Sequence, residues 1–198
     1  YIFILLTILV FQKSYSQFIN WEKPENLSVL NTSKDEFAPF FDNKSSILYY
    51  NSTISGVSQL YWMQTNDSFD FGKPILHKSK LNNPKENRSY FFFCEDGTIY
   101  LSKFRLTSKF PVLNLAVSEI YRNNYSEPTF IKQLQCDCFV SHPTLSKDGR
   151  TLIFASNWNN KTNLDLFISY KNNDGVWSEP IELSEINSDG NEITPFLY

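Results

Sequence analysis

The stretch HPTLSKDGRTLIFASNWNNKTNLDLFISYKNNDGVWSEPIELSEINSDGNEITPFLY, residues 142–198, decides the fold. It reads as strand, tight turn, strand, polar loop, strand, turn, strand, and then the opening of the same pattern again. The turns are Lys147-Asp148-Gly149-Arg150 and Asn172-Asn173-Asp174-Gly175, each with an Asp-Gly pair that favours the positive backbone angles of tight hairpins. Between the turns, Thr151–Ala155 and Leu164–Tyr170 are rich in β-branched and aromatic residues. The unit is a four-stranded antiparallel meander.

Working outward, the same unit recurs. Trp21-Glu-Lys-Pro24 matches Trp177-Ser-Glu-Pro180 at an offset of 156 (177 minus 21). The same offset aligns Leu27-Ser28 with Leu183-Ser184, Asn31 with Asn187, Glu36 with Glu192 and Pro39-Phe40 with Pro195-Phe196. One third of that offset, 52, brings in the intermediate copies: Tyr125-Ser-Glu-Pro128, the series Pro39, Phe91, Pro143, Pro195, and Glu95-Asp96-Gly97 ahead of Lys147-Asp148-Gly149. Phe71-Gly-Lys-Pro74 is the remaining copy, displaced by two residues. Four short strands repeating at this length are the signature of propeller blades.

The expected organisation is therefore all-β: a β-propeller of four-stranded antiparallel blades, about three and a half in number, forming an open arc. Blade one spans 36–78, blade two 88–131 and blade three 140–183, while 191–198 begins a fourth. In blade two the third strand is expected around Leu115–Tyr121. Because no blade can bury both faces alone, alternate side chains of each strand serve the preceding and following neighbours. This assigns Trp21, Trp62, Trp158 and Trp177 to packing between blades. A chain ending in an innermost strand is expected to be a fragment.

Composition narrows the classes. The chain is 41% hydrophobic and 17% aromatic with a net charge of −3, so a sizeable core is affordable and no basic patch invites nucleic acid. Residues 1–16 read as an export signal: an apolar run from Ile2 to Phe11 is too short to span a bilayer, and Ser14 and Ser16 stand at the −3 and −1 positions of a cut before Gln17. The three cysteines, Cys94, Cys136 and Cys138, lack a fourth ligand and zinc-like spacing to either His77 or His142. If Cys136 and Cys138 share a strand, alternation puts them on opposite sides and disfavours their mutual bridge. Cys94 paired with either one, or three buried thiols, are the readings left open.

Pro143-Thr-Leu-Ser-Lys-Asp-Gly through Ala155-Ser156, then Leu164-Asp165, Trp177-Ser-Glu-Pro180 and Glu192-Ile-Thr-Pro195, resembles the TolB-like β-propeller repeats of exported Bacteroidetes proteins. Blade three carries the whole pattern, blade one follows it loosely, and blade two departs from it, with Tyr90-Phe91 in place of the expected proline. The resemblance implies a periplasmic or extracellular, non-catalytic scaffold with a protein or peptidoglycan-associated envelope partner. It brings no catalytic, cofactor-binding or metal-binding residue, no nucleic-acid partner and no membrane span.

Nucleophilic catalysis needs a histidine beside a nucleophile, and His142 on an innermost strand is the one positioned to face a channel. No nucleophile signature accompanies it. Glycosidase chemistry needs paired carboxylates. Glu36 and Glu192 occupy equivalent steps, but Arg88 and Val140 fill the other two, so the acids read as caps of their inner strands. Ser68-Phe-Asp70-Phe-Gly72 resembles the start of a sialidase Asp-box without its later aromatic. The alternative function is thus the propeller portion of a secreted hydrolase, either a glycosidase or a propeller-gated serine peptidase.

Overall fold

The computed structural model describes residues 23–66, 70–107, 110–122, 124–158 and 162–197. The export signal at 1–16 and the Trp21 strand lie outside them. The first sheet runs β1 (Glu36–Asp42), β2 (Ile47–Ser52), β3 (Gln59–Gln64) and β4 (Ile75–Leu76), paired antiparallel in that order. The second contains β5 (Arg88–Phe93), β6 (Ile99–Leu106), β7 (Pro111–Ser118) and β10 (Thr129–Phe130), again as a meander. A two-stranded flap, β8 (Ile120–Tyr121) with β9 (Asn124–Tyr125), interrupts it before β10. The third contains β11 (Val140–Leu145), β12 (Thr151–Ser156), β13 (Asp165–Tyr170) and β14 (Ile181–Glu182).

Sheet two lies between the other two, and apolar side chains fill both seams. Leu60 and Leu81 from the first blade meet Phe91, Ile99, Leu101 and Ala116 of the second. Tyr100 and Leu115 of the second meet Leu145, Leu152, Phe154, Phe167 and Trp177 of the third. Rings mark each seam: Tyr49 stacks on Phe93 with centroids 4.4 Å apart, and Trp177 meets Tyr100 edge-on at 6.1 Å. Trp177 is therefore packing between blades, and Trp158 packs against the same cluster. Sheets stacked face to face in this way, each a four-stranded meander, are propeller blades. The chain is an all-β protein of the β-propeller class.

The Trp-Ser-Glu-Pro motif has a constructional role. Ser178 Oγ accepts from Tyr170 N at 3.1 Å, and Ser169 Oγ donates to Ser178 O at 2.8 Å. Blade two repeats this with Ser126, Glu119 and Ser118 at 3.1 and 2.8 Å. These bonds pin the start of the outer strand to the third. In blade one Gly72 replaces the serine and donates N–H to Gln64 O at 2.9 Å.

Two expectations are corrected in blade two. Its third strand runs from Pro111 to Ser118, earlier than 115–121, because β6 and β7 form one long ladder from Ile99↔Ser118 to Leu106↔Pro111. Residues 120–121 belong instead to the flap. The 52-residue step also slips: Phe40 pairs with Tyr49 and Thr144 with Ile153, nine residues on, whereas Phe92 pairs with Tyr100, eight residues on. The first hairpin of blade two is one residue shorter. Leu48, Ile99 and Leu152 therefore occupy equivalent places, of which Ile99 and Leu152 face the preceding blade.

The cysteine pairing is corrected too. Cys136 and Cys138 are bridged, with Cα atoms 5.1 Å apart, and Cys94 is free. Alternation does not apply to them, because they lie in a bend after the 3-10 turn Lys132–Leu134 rather than on a strand. Cys94 sits at the opposite end of blade two. Its N–H bonds Thr98 O beside the first hairpin turn, whereas Cys136 N–H bonds Asn114, further along β7.

Candidate functional site

The innermost strands β1, β5 and β11 share a backbone device. Each has a bulge, between Phe37 and Phe40, Ser89 and Phe92, and Ser141 and Thr144. Within each bulge one residue takes a positive φ: Ala38 at 51°, Tyr90 at 53° and His142 at 56°. Thr194, at 53°, continues the series. These four positions are 52 apart, so the repeat is written in the backbone as well as in the residues. For residues with a Cβ this conformation costs on the order of 1 kcal/mol each, and only the surrounding sheet holds it.

The bulges turn these strands toward a common cavity of about 550 Å³, lined by 38–41, 90–93, 142–144 and 194–197. Its walls are rings and prolines: Phe40 packs against Phe93 at 5.0 Å and Phe92 at 6.1 Å, and Pro39, Pro143 and Pro195 contribute the rest. The segment 194–197 is held by Leu197 N–H donating to Thr144 Oγ1 at 3.1 Å. No Asp, Glu, Lys or Arg is among the described residues of this wall.

His142 is a polar member, alongside Thr144, Thr194 and the Tyr90 hydroxyl. His142 is 8% exposed, its ring lies 3.7 Å from that of Tyr90, and Nδ1 is buried without a hydrogen-bond partner. Burial pushes the imidazole pKa down to about 4, so the ring is neutral at pH 7. Among the described residues no Ser, Thr or Cys side chain bonds the buried Nδ1. Ser141 bonds Ser102 across the blade seam at 2.8 Å.

The other sites singled out in the sequence lie elsewhere. Glu36 accepts from Thr32 N and Oγ1 at 2.9 and 2.8 Å and from Ser52 Oγ at 2.8 Å. Burial raises its pKa, and those bonds together outweigh the burial to leave it lowered. Glu192 accepts from Ser188 N and Oγ in the same way. Glu36 caps the start of β1, as the sequence suggests, whereas residues 191–197 form no strand and Glu192 fixes the loop ahead of them. Arg88, at the equivalent step, has a fully buried side chain and pairs with Glu86 at 2.8 Å and with Glu127. Arg105 holds Asp137, Arg150 bonds Asn173 and Arg122 lies over Tyr121, so no arginine cluster faces the cavity. Of the Asp-box-like stretch, residues 67–69 lie outside the description, and the Asp70 carboxylate accepts from Asn66 at 3.1 Å.

Sequence reasoning missed a set of asparagine clamps. Asn82 accepts from Leu60 N–H at 2.7 Å and donates to Leu60 O at 2.9 Å. Asn187 does the same for Leu166 at 2.9 and 3.1 Å. Asn87 and Asn191 accept from Ser58 N and Leu164 N at 2.6 and 2.8 Å. Asn87 and Asn191 are 104 apart, twice the repeat step, and this spacing is the signal that could have exposed them.

Among the described residues no helix is long and apolar enough to cross a membrane, and no group of three or more His, Cys, Asp or Glu could hold a metal ion. No family model matches the sequence, and no curated protein matches it. Solved structures do. TolB from Acinetobacter baumannii is similar at 13% identity and a TM-score of 0.44, over 76% of this chain and 33% of that one. An endo-arabinase from Bacteroides thetaiotaomicron is similar at 16% identity and 0.44, over 78% and 61%. A glycosyl hydrolase from Bacteroides ovatus is similar at 15% identity and 0.42, over 87% and 60%. The chain thus spans between a third and about three fifths of the length of these structures.

Proposed function

We propose that the chain is an exported, non-catalytic β-propeller scaffold of the TolB-like kind, which binds a protein or peptidoglycan-associated envelope partner at the mouth of its inner channel. In this reading residues 1–16 are the export signal and 17–198 belong to the propeller, in the periplasm or outside the cell. The observation that carries it is the wall of the inner cavity: rings, prolines and a neutral buried histidine, with no carboxylate pair among the described residues. Hydrolysis of a glycoside needs two carboxyl groups flanking the bond, and serine peptidase chemistry needs a base beside a nucleophile. An aromatic wall instead suits apolar side chains of a partner.

The test uses residues 17–198 and isolated peptidoglycan sacculi, once with their bound proteins and once stripped of them. Retention on the first and not the second, weakened by Phe40→Asp and Phe92→Asp with the circular dichroism spectrum unchanged, is the expected result. Release of reducing sugar from arabinan or a β-mannoside, abolished by Glu36→Gln, would overturn the scaffold reading in favour of the hydrolase.

A further inference from the structure

The bridge between Cys136 and Cys138 does little for stability. A disulfide stabilises chiefly by shortening a loop in the unfolded chain, and a separation of two residues is close to the shortest loop available. Nor does it hold its own segment in place. Asn114 accepts from Cys136 N–H at 3.2 Å and donates to Cys138 O at 3.0 Å. Arg105 donates to Cys136 O at 2.6 Å and to Asp137 at 2.7 Å. The segment is fixed from outside the bridge.

Both sulfur-bearing residues are only half-buried, and Cys138 borders a cavity of about 270 Å³ walled by Phe104, Phe110, Leu113 and Phe139. Phe110 is 53% exposed at its rim. The third cysteine contrasts with them: burial, and then Asp96, push the Cys94 thiol up to about 12, so it stays protonated and inert.

The geometry points to Cys136–Cys138 as a thiol–disulfide exchange site, whose partner is a protein dithiol with an apolar side chain next to its cysteines. The apolar side chain seats in the cavity, and a partner thiolate attacks Cys138 Sγ. The Cys136–Cys138 bond breaks, Cys136 leaves as a thiolate and takes a proton from water, and a mixed disulfide joins Cys138 to the partner. The partner's second thiolate then attacks its own sulfur in that mixed disulfide, which releases Cys138 as a thiolate and closes the partner's disulfide. Two electrons pass from partner to pair, and the sequence runs backwards with an oxidised partner.

The experiment titrates the folded chain with dithiothreitol and, separately, with a reduced Cys-x-x-Cys peptide flanked by Phe, and reads alkylation by mass. Two labels appear, at Cys136 and Cys138, while Cys94 stays unlabelled and the circular dichroism spectrum is retained. Phe110→Lys slows the peptide on the order of tenfold through loss of the apolar contact and leaves the dithiothreitol rate unchanged. Cys136→Ser leaves Cys138 to be trapped as a mixed disulfide with the oxidised peptide. A bridge that opens only when urea unfolds the chain would overturn the proposal. So would three alkylatable thiols in protein purified in air, or a peptide rate indifferent to Phe110→Lys.

Discussion

Blade two and its neighbours solve one construction problem differently. In blades one and three, asparagines from the connection into the next blade clamp the third strand. In blade two the matching steps hold Leu134 or Gln135 and Phe139, and the direction is reversed: Asn114 on the third strand reaches out to the connection, assisted by Arg105. Blade two also has the shorter first hairpin and a buried arginine where its neighbours hold Glu36 and Val140. A repeat therefore conserves the need to satisfy the third strand's backbone, not the residue that does so. Buried N–H and C=O groups must find a partner, and the sequence is free as to which side supplies it.

The largest expected effect breaks that contrast at Arg88. Its side chain is fully buried between Glu86 and Glu127, and it donates to Lys80 O at 2.5 Å. Arg88→Ala orphans the Lys80 carbonyl, leaves Glu86 only Lys103 at 3.9 Å and empties a fully buried side-chain volume, and should cost about 3–5 kcal/mol in urea unfolding. Val140→Ala at the same step of blade three loses only buried methyl groups and should cost less.

His142 sets the next effect. The unfolded imidazole titrates near 6.5 and the folded one near 4, so the unfolded state takes up the proton first. Its contribution is complete above pH 6.5 and is lost as pH falls toward 4, by a total on the order of 3 kcal/mol. Burial also lowers His77, which adds with the same sign. His142→Asn, which keeps a residue tolerant of positive φ, should flatten the variant's stability profile between pH 6.5 and 4 relative to the parent's. An unchanged slope would remove His142 as its source.

Smaller effects sharpen the comparison of clamps. Asn82→Ala and Asn187→Ala should each cost about 1–3 kcal/mol by orphaning a backbone pair, and Asn114→Ala should match them despite its place on the other partner. Measured by chemical denaturation, a much smaller loss at Asn114 would mean that Arg105 carries the connection alone. Smallest are the first-hairpin glycines. Gly97→Ala meets Ile120 Cδ1 at 2.7 Å as well as the strain of φ +84°, whereas Gly149→Ala meets open space at φ +66°. Both should destabilise by about 1 kcal/mol, with Gly97 the larger, readable as a shift in thermal midpoint.

Much of the fold was legible because its signals are local. The Asp-Gly turns ending in Gly97, Gly149 and Gly175 carry their positive φ within the motif, and Trp177-Ser-Glu-Pro180 announces the start of an outer strand. The one-residue slip was hidden, because Asp96-Gly97 keeps the 52-residue step and the deletion falls just after it. The bridge was misread because alternation assumes a strand, and 136–138 form a bend. At the inner cavity the series Pro39, Phe91, Pro143, Pro195 was visible, but Ala38, Tyr90, His142 and Thr194 share a backbone conformation and no chemistry.

By itself, then, the sequence determined the repeat, the four-stranded blade, the hairpin turns and the packing duty of Trp177. Each of these depends on residues within a few positions of one another or on a period that can be counted. Only the tertiary structure decided that His142 is neutral beneath Tyr90, that Arg88 is buried among acids, that asparagines clamp strands more than twenty residues away, and that Cys138 rather than Cys94 pairs with Cys136. Those outcomes turn on which groups lose water together when the blades stack, and that is fixed by neighbours in space.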